Sequence, residues 1–166
     1  MNRTARVALI FGGLVLGLTA PALAQTASTN LSVTATVTKN CSITTTAVAF
    51  GSYDPIVANA ATPLDGTGSV VVTCTKGAGT RIDLDLGSNA AGSARRMLGG
   101  TDLLTYELYT DSGRSTVWGS GAGAGQTIAA APNKNPRTFT VYGRVPAGQD
   151  VGAASYADTV VATINF

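Results

Sequence analysis

The chain has 166 residues and no histidine, and only 12% of its residues are charged, against roughly 25% in typical soluble domains. Its formal net charge of +2 comes from the first few residues, because removing Arg3 and Arg6 from the 11 basic residues leaves nine, equal to the nine acidic ones. A neutral chain gives no electrostatic reason to bind nucleic acid or an anionic membrane.

Residues 1–24 have the pattern of a secretory signal peptide. Two arginines precede a short apolar run over residues 7–20, and Ala22-Leu23-Ala24 forms an A-x-A cleavage site. The apolar run is shorter than the about 20 residues that a transmembrane helix needs. We therefore expect an exported chain of 142 residues (166 less 24), which is long enough for one domain with its own core.

The rest of the sequence alternates apolar and polar residues and has no helical period, which predicts an all-β fold. The predicted strands are 30–38, 41–50, 68–75, 80–86, 103–110, 126–130, 137–145 and 156–166. Turn-forming residues such as Asp65-Gly66 separate them. Short strands at this spacing, without helices between them, indicate a single antiparallel β-sandwich.

The first and last predicted strands are both amphipathic, although chain ends are commonly polar and frayed. The first has one apolar face made of Leu31, Val33, Ala35 and Val37. The last has one made of Val160, Ala162, Ile164 and Phe166. The pattern alone leaves two possibilities open for residues 31–38: the strand pairs within its own domain, or it completes a neighbouring copy that lacks an edge strand.

Cys41 and Cys74 are the only cysteines. In an exported chain an even pair of cysteines predicts one disulfide, which would stabilise the fold by about 3.5–4 kcal/mol in the chain-entropy model. Two cysteines without histidine do not make a zinc site, so we predict no metal and no cofactor.

The acidic and glycine-rich motifs have simple structural explanations. Asp83 and Asp85 alternate with the apolar Ile82 and Leu84, which predicts surface carboxylates rather than a pair of catalytic acids. The glycine-rich run 119–125 lacks the Lys-Ser/Thr ending of a phosphate-binding loop, so it is predicted to be a flexible connection.

The basic and aromatic residues leave one binding function open. Arg95 and Arg96 could bind an anionic glycan, although charges in a solvated turn are the simpler interpretation. Four aromatic residues could line a sugar site but are expected to supply the core, namely Tyr106, Tyr109, Trp118 and Tyr142.

Several segments together resemble a known family. They are Phe50-Gly51-Ser52-Tyr53-Asp54-Pro55, Val70-Val71-Val72-Thr73-Cys74, Leu104-Thr105-Tyr106-Glu107-Leu108-Tyr109-Thr110-Asp111, Trp118-Gly119, Val141-Tyr142-Gly143-Arg144-Val145-Pro146-Ala147-Gly148-Gln149 and Ser155-Tyr156-Ala157-Asp158-Thr159-Val160. In this order they resemble the spore coat protein U domain, the family that includes Csu-type pilins of archaic chaperone–usher pili. The resemblance covers essentially all of residues 30–166.

The resemblance implies an incomplete immunoglobulin-like sandwich that lacks one edge strand. Such a subunit is exported to the Gram-negative periplasm, where a strand of a dedicated chaperone fills the open groove. An outer-membrane usher then replaces that strand with the N-terminal donor strand of the next subunit, and the fibre reaches the cell surface.

By position, the resemblance assigns residues 25–38 to a donor-strand extension and 39–166 to the pilin domain. Leu31, Val33, Ala35 and Val37 would be the donor residues, and Cys41–Cys74 would be the family disulfide. Val160, Ala162, Ile164 and Phe166 would border the groove and pair with the chaperone. Ala35 departs from the pattern, since a larger apolar residue would fill the groove better.

The sequence thus predicts a structural pilin subunit, not an enzyme, in fibres for adhesion and biofilm formation. Its partners would be copies of itself or related pilins, a periplasmic chaperone and an outer-membrane usher, with no small-molecule substrate. A single domain favours a shaft or minor subunit over a tip adhesin. The alternatives are a secreted monomeric lectin-like or surface-coat protein that binds through Trp118 and nearby tyrosines, and an enzyme that uses Asp83 and Asp85.

Overall fold

The computed structural model describes residues 23–79 and 81–166. Its regular elements are all strands: β1 (Cys41–Thr46), β2 (Leu64–Cys74), β3 (Arg81–Leu84), β4 (Arg95–Gly99), β5 (Asp102–Tyr109), β6 (Gln126–Thr127), β7 (Arg137–Val145) and β8 (Ala162–Asn165). The predicted all-β class is confirmed. No helix in the described part of the chain is long and apolar enough to cross a membrane.

The strands form two antiparallel sheets. The larger sheet has the order β1-β2-β7-β5-β4, and the smaller has the order β6-β3-β8. β2 and β7 form the longest ladder, which runs from the pair Leu64↔Val145 to the pair Val72↔Arg137. All of these strands lie in the compact unit 36–166.

The core lies between the sheets and is built from alternate residues of the strands. It contains Val70, Val72, Ile82, Leu84, Leu104, Tyr106, Leu108, Trp118, Ile128, Val141 and Val145. Burial of each large apolar side chain contributes about 1.5–3 kcal/mol. Trp118 is completely buried, and its Nε1–H donates a hydrogen bond of 2.9 Å to the Ile82 carbonyl. The core placement expected for Trp118 and Tyr106 is confirmed, whereas Tyr109 and Tyr142 are half-buried and lie outside this cluster.

Arg95 corrects the expectation of a solvated turn. Its side chain is 0% exposed and donates hydrogen bonds to the carbonyl oxygens of Leu84, Asp85 and Trp118. Its Nη1 also pairs with the Glu107 carboxylate. The guanidinium can be buried because its donors meet strand-end carbonyls and a carboxylate instead of water.

The two terminal segments differ most from the predicted strands. Residues 23–40 have no regular secondary structure, and Leu31, Val33 and Val37 are 87%, 85% and 83% exposed. The predicted final strand 156–166 is reduced to β8. A strand requires a neighbour for its backbone hydrogen bonds, and an alternating sequence does not supply one. The predicted leader, 1–24, falls outside the described residues except for its last two and stays a prediction.

Candidate functional site: an open groove in the sandwich

The sandwich is open along one side, between the chain that follows β1 and the chain that precedes β8. Two cavities of about 410 and 670 Å³ lie there. Both are lined by Val48, Phe50, Met97 and Tyr156, so they form one continuous groove. The predicted incomplete sandwich therefore has a physical counterpart, which we call the groove.

The floor of the groove is the apolar inner face of the larger sheet. It includes Leu64, Val70, Leu104, Tyr106, Leu108, Val141 and Val145. Near its middle the rings of Phe50 and Tyr106 meet edge to face, with centroids 6.1 Å apart. This surface would be covered in a closed sandwich, and an incoming strand could bury it.

The first wall consists of residues 47–53, where the chain leaves the β1–β2 ladder and crosses β2 and β7. The crossing depends on glycines beneath it. A Cβ on Gly68 would lie 2.8 Å from Val48 Cγ2, and a Cβ on Gly143 would lie 2.6 Å from Phe50 Cζ. These glycines let Val48 and Phe50 approach the sheet closely.

Hydrogen bonds fix the far end of the first wall. The Tyr53 hydroxyl donates to the Pro146 carbonyl and accepts the Gln149 N–H, each at 2.9 Å. Asp54 Oδ1 then accepts the Ile56 N–H at 2.9 Å, and this backbone donor is the main reason that the pKa of Asp54 is lowered. The wall therefore ends at a defined position.

The second wall consists of residues 156–162. Its odd-numbered residues make backbone hydrogen bonds to neighbouring segments of the same chain. The Ala157 N–H donates to the Leu98 carbonyl at 3.1 Å, and the Ala157 carbonyl accepts the Leu98 N–H at 2.9 Å. The Val161 carbonyl accepts the Asp85 N–H at 3.1 Å, and the Val161 N–H donates to Asp85 Oδ1 at 2.8 Å. These bonds hold one edge of the wall against the smaller sheet and β4.

The other edge of each wall has no backbone partner. In an extended chain the N–H and C=O of successive residues point to opposite sides, so those of Asp158 and Val160 point away from the bonded edge. Within the described residues, neither they nor residues 48–52 make a backbone hydrogen bond. An apolar groove with an unpaired main-chain edge on each side is the geometry that accepts one extended strand.

Asp158 joins the second wall to the floor. Its Oδ2 accepts the Tyr106 hydroxyl at 2.7 Å, and its Oδ1 accepts the Ser88 N–H at 2.9 Å and Asn89 Nδ2 at 3.0 Å. Burial raises the pKa of Tyr106, and the hydrogen bond to Asp158 adds to that shift. A Cβ on Gly87 would meet Asp158 Oδ2 at 2.0 Å, so this close contact needs glycine there.

The four residues predicted to border the groove occupy different positions. Val160 and Ala162 line it. Ile164 packs against the core cluster, and Phe166 is 52% exposed. The predicted donor residues Leu31, Val33, Ala35 and Val37 are all exposed. The donor and chaperone-pairing roles of these residues stay predictions.

The predicted disulfide joins Cys41 and Cys74, which are opposite each other at the start of the β1–β2 ladder. Three further hydrogen bonds extend the ladder beyond it. The Thr75 N–H donates to the Asn40 carbonyl at 2.8 Å, the Asn40 N–H donates to Thr75 Oγ1 at 3.2 Å, and that hydroxyl donates to the Thr38 carbonyl at 3.4 Å. We call residues 38–41 the root.

The candidate acids Asp83 and Asp85 each bind other groups of the fold. Asp83 binds Arg81 at 2.7 Å and Asn165 at 2.9 Å, and the hydrogen bond from Arg81 is the main cause of its lowered pKa. Asp85 accepts the Gly87 N–H at 2.9 Å. No three potential metal ligands cluster within residues 23–79 and 81–166. The complete burial of Trp118 removes it from any sugar-binding surface.

Sequence reasoning does not identify Met97 and Tyr53 as residues of the groove. Met97 lies on β4, which is absent from the predicted strands because its first residue, Arg95, is polar but points inward. Tyr53 belongs to a predicted turn, and the sequence holds no sign that its hydroxyl reaches Pro146.

Comparison with known proteins identifies the family. The profile of the Spore Coat Protein U domain matches residues 27–163. Protein U of Myxococcus xanthus is 42% identical over 160 residues, which cover 88% of this chain and 88% of that protein.

The fold is also similar to a solved structure of the CsuC–CsuE chaperone–tip adhesion subunit pre-assembly complex, from the archaic chaperone–usher Csu pili of Acinetobacter baumannii. The TM-score is 0.57 at 21% identity, and the match covers 79% of this chain but 41% of the other. That likeness supports the incomplete immunoglobulin-like sandwich. With most of its length matched by the family profile and by Protein U, the chain belongs to the Spore Coat Protein U domain family.

Proposed function

We propose that this chain is a pilin subunit of a chaperone–usher fibre that polymerises by donor-strand complementation. The observation that carries the proposal is the groove, with its apolar floor and two unpaired main-chain edges. A strand from another molecule would pair with both edges and cover the floor, which would complete the sandwich.

The proposed donor is the segment 25–38, which we call the arm. Its residues Leu31, Val33, Ala35 and Val37 alternate with polar residues and are exposed. Burying three of the larger side chains and the smaller Ala35 in a groove would contribute on the order of 5–10 kcal/mol as an upper value. Since whole domains are stable by about 5–15 kcal/mol, an empty groove would leave a marginal subunit.

The proposal includes the partners that handle such a subunit during export. A periplasmic chaperone would fill the groove by pairing along the edge of Val160, Ala162, Ile164 and Phe166. An outer-membrane usher would exchange its strand for the arm of the next subunit. The similar Acinetobacter structure is a complex of a chaperone with a tip subunit, which supports this class of partner. Export through the leader 1–24 would place the fibre on the cell surface, where its role in adhesion and biofilm formation is structural and not catalytic.

Deletion of residues 25–38 tests the proposal. We expect the shortened subunit to bind the chaperone as before, because the groove is intact, but to form no polymer in a purified assembly assay. A matched pair of variants controls for loss of chain length. Leu31→Asp with Val33→Asp should abolish polymer, whereas Ser32→Asp with Thr34→Asp, on the opposite face, should retain it. Fibres formed by the deletion variant would disprove the donor assignment.

A surface-coat role is the second candidate, and the membership of the Spore Coat Protein U domain family supports it. It would use the same polymerisation and differ in the form of the product. Electron microscopy of cells that express the chain should show separate thin fibres for a pilus and a continuous layer for a coat.

A further inference from the structure

The unpaired charges of the domain are separated between its two ends. The β2–β7 ladder connects these ends and runs from the pair Leu64↔Val145 to the pair Val72↔Arg137. At about 3.4 Å per residue the ladder is about 27 Å long. The root lies at the Arg137 end, because Cys41 pairs with Cys74 just beyond Val72.

We call the end that contains the root the basic end. It consists of the root and residues 75–79 and 129–137. The Gly77 N–H donates to the Ala131 carbonyl and the Ala131 N–H donates to the Ala78 carbonyl, both at 2.8 Å, so these segments form one surface. They contain no acidic side chain and four basic ones, namely Lys39, Lys76, Lys134 and Arg137. The three lysines are exposed, and none forms an ion pair with another described residue.

The opposite end, which we call the acidic end, consists of residues 51–63, 99–102 and 146–155. Hydrogen bonds also join these segments into one surface. The Gly148 N–H donates to the Asn59 carbonyl at 2.8 Å, and the Gly152 N–H donates to Asp102 Oδ2 at 2.7 Å. The segments contain no basic residue and three acidic ones, namely Asp54, Asp102 and Asp150.

The acidic end also presents an apolar patch in a fixed turn. Ile56 and Val57 are 81% and 77% exposed, although Asp54 Oδ1 accepts both of their N–H groups at 2.9 and 3.2 Å. Large apolar side chains held in contact with water are typical of interaction surfaces. At the basic end, Pro132 and Pro136 are exposed on either side of Lys134. Each end thus combines apolar side chains with charges of one sign.

We propose that the acidic end of one copy binds the basic end of a second copy, in a contact between folded domains that is separate from the groove. The inference rests on the proposed function, because an arm seated in a groove brings the two ends together. The groove opens at the acidic end, where Tyr53, Pro55 and Gly152 line it. Thr38, the last residue of the arm, is three residues from Cys41, which is a span of at most about 11 Å. An arm that leaves the groove at this opening therefore brings the basic end of its own domain to the acidic end of its neighbour.

The charges make this contact sensitive to salt. Opposite charges attract across the proposed contact, whereas two basic ends would repel each other. The attraction between exposed charges extends over about 30 Å at 0.01 M salt and over about 3 Å at 1 M salt. A strand in the groove is held by apolar burial and backbone hydrogen bonds, which salt screens little. Salt should therefore loosen the contact between domains while the fibre stays intact, and the fibre should bend more easily.

The persistence length of fibres of the exported chain, measured by electron microscopy, tests the inference. We expect it to be about 2-fold or more shorter at about 1 M salt than at about 0.01 M. Lys76→Gln with Lys134→Gln should give the shorter length even at low salt. Thr44→Glu with Thr140→Glu, on the exposed face of the larger sheet, changes the net charge by the same amount and should behave like the unmodified chain. A persistence length that depends neither on salt nor on the two lysines would overturn the inference.

Crosslinking with a carbodiimide, which joins a carboxylate to a lysine amine in direct contact, identifies the surfaces that meet. Fibres grown from a mixture of isotope-labelled and unlabelled chains show by mass spectrometry which links join two copies. We expect these links to connect the three aspartates of the acidic end with the three lysines of the basic end. If the links between copies join other pairs, or if none form, the ends do not bind each other.

Fibre formation itself separates the two proposals. If the exported chain and its chaperone and usher give no fibres, the proposed function fails and this inference fails with it. If fibres form but their stiffness ignores salt and the ends do not crosslink, the strand exchange stands and only this inference is wrong.

Discussion

The carboxylate of Asp158 joins three parts of the molecule. Tyr106 lies on the groove floor, Ser88 and Asn89 lie in the turn before β4, and Asp158 itself belongs to the second wall. Hydrogen bonds to an ionised group are worth about 1.5–3 kcal/mol each when a partner is removed. The wall is therefore held by this carboxylate as well as by the backbone hydrogen bonds of Ala157 and Val161.

We predict that Asp158→Asn lowers the free energy of unfolding by about 1–3 kcal/mol, because the amide nitrogen cannot accept a hydrogen bond. Urea unfolding of the chain without residues 25–38, with a synthetic peptide of residues 27–39 (the arm peptide) bound, measures this. Asp150→Asn is the matched control, since Asp150 is exposed and makes no hydrogen bond to another described residue. Equal stability of the two variants would show that the Asp158 contacts do not hold the wall.

Arg95 shows that the type of a residue does not by itself predict whether its side chain is buried. A dibasic pair predicts solvent exposure because an isolated buried charge is costly. The carbonyls of Leu84, Asp85 and Trp118 make its burial possible, and they come from chain segments that only the fold brings together. Trp118, by contrast, lies where the sequence predicts, because a large aromatic residue in an aromatic-poor chain has few places other than the core.

At the scale of an element, the first wall shows that a strand-like sequence is not enough to form a strand. Strand β7 has the bounds that the sequence predicts because both of its neighbours are in the same chain. Residues 47–50 alternate between exposed and partly buried side chains, yet the ladder of β1 ends at Thr46. The alternation identifies which faces are apolar, but a strand also needs a partner edge, and the sequence of one chain does not contain the partner.

We predict that Gly143→Ala displaces the first wall. Its Cβ would lie 2.6 Å from Phe50 Cζ and 2.7 Å from Val48 Cγ1, and overpacking of this kind costs about 1–3 kcal/mol. Binding of the arm peptide should weaken about 5-fold or more, as titration calorimetry would measure. Thr140→Ala, on the exposed face of the same strand, should leave peptide affinity unchanged. An unchanged affinity in Gly143→Ala would mean that the wall adjusts without cost.

At the scale of the whole molecule, the absence of histidine sets the response to pH. Four aspartates have pKa values below the ordinary 3.8 because of hydrogen-bond donors, namely Asp54, Asp65, Asp83 and Asp111. For Asp65 the main cause is Arg144, and for Asp111 it is the Ser115 N–H. A lowered folded-state pKa contributes stability above the unfolded value, and that stability is lost as the pH falls through the folded value.

We therefore predict that stability is nearly constant between about pH 5 and pH 8 and decreases below about pH 4. Thermal unfolding across this range is the measurement. Asp65→Asn should reduce the loss of stability at acid pH, while the stability at neutral pH stays constant in both chains. A step in stability between about pH 6 and pH 7 would contradict the prediction, because no side chain of ordinary pKa titrates there without histidine.

The disulfide at the root also determines how the molecule would respond to tension. In a fibre, a pull on the arm enters the domain at residues 38–41. Without a crosslink that force would peel β1 from β2 one residue pair at a time, starting at Cys41. The covalent bond to Cys74 passes the load directly to β2, whose ladder with β7 is the longest among the described strands. A pull on the arm would therefore act on both strands of the β1–β2 ladder at once, and it would not open that ladder from its end.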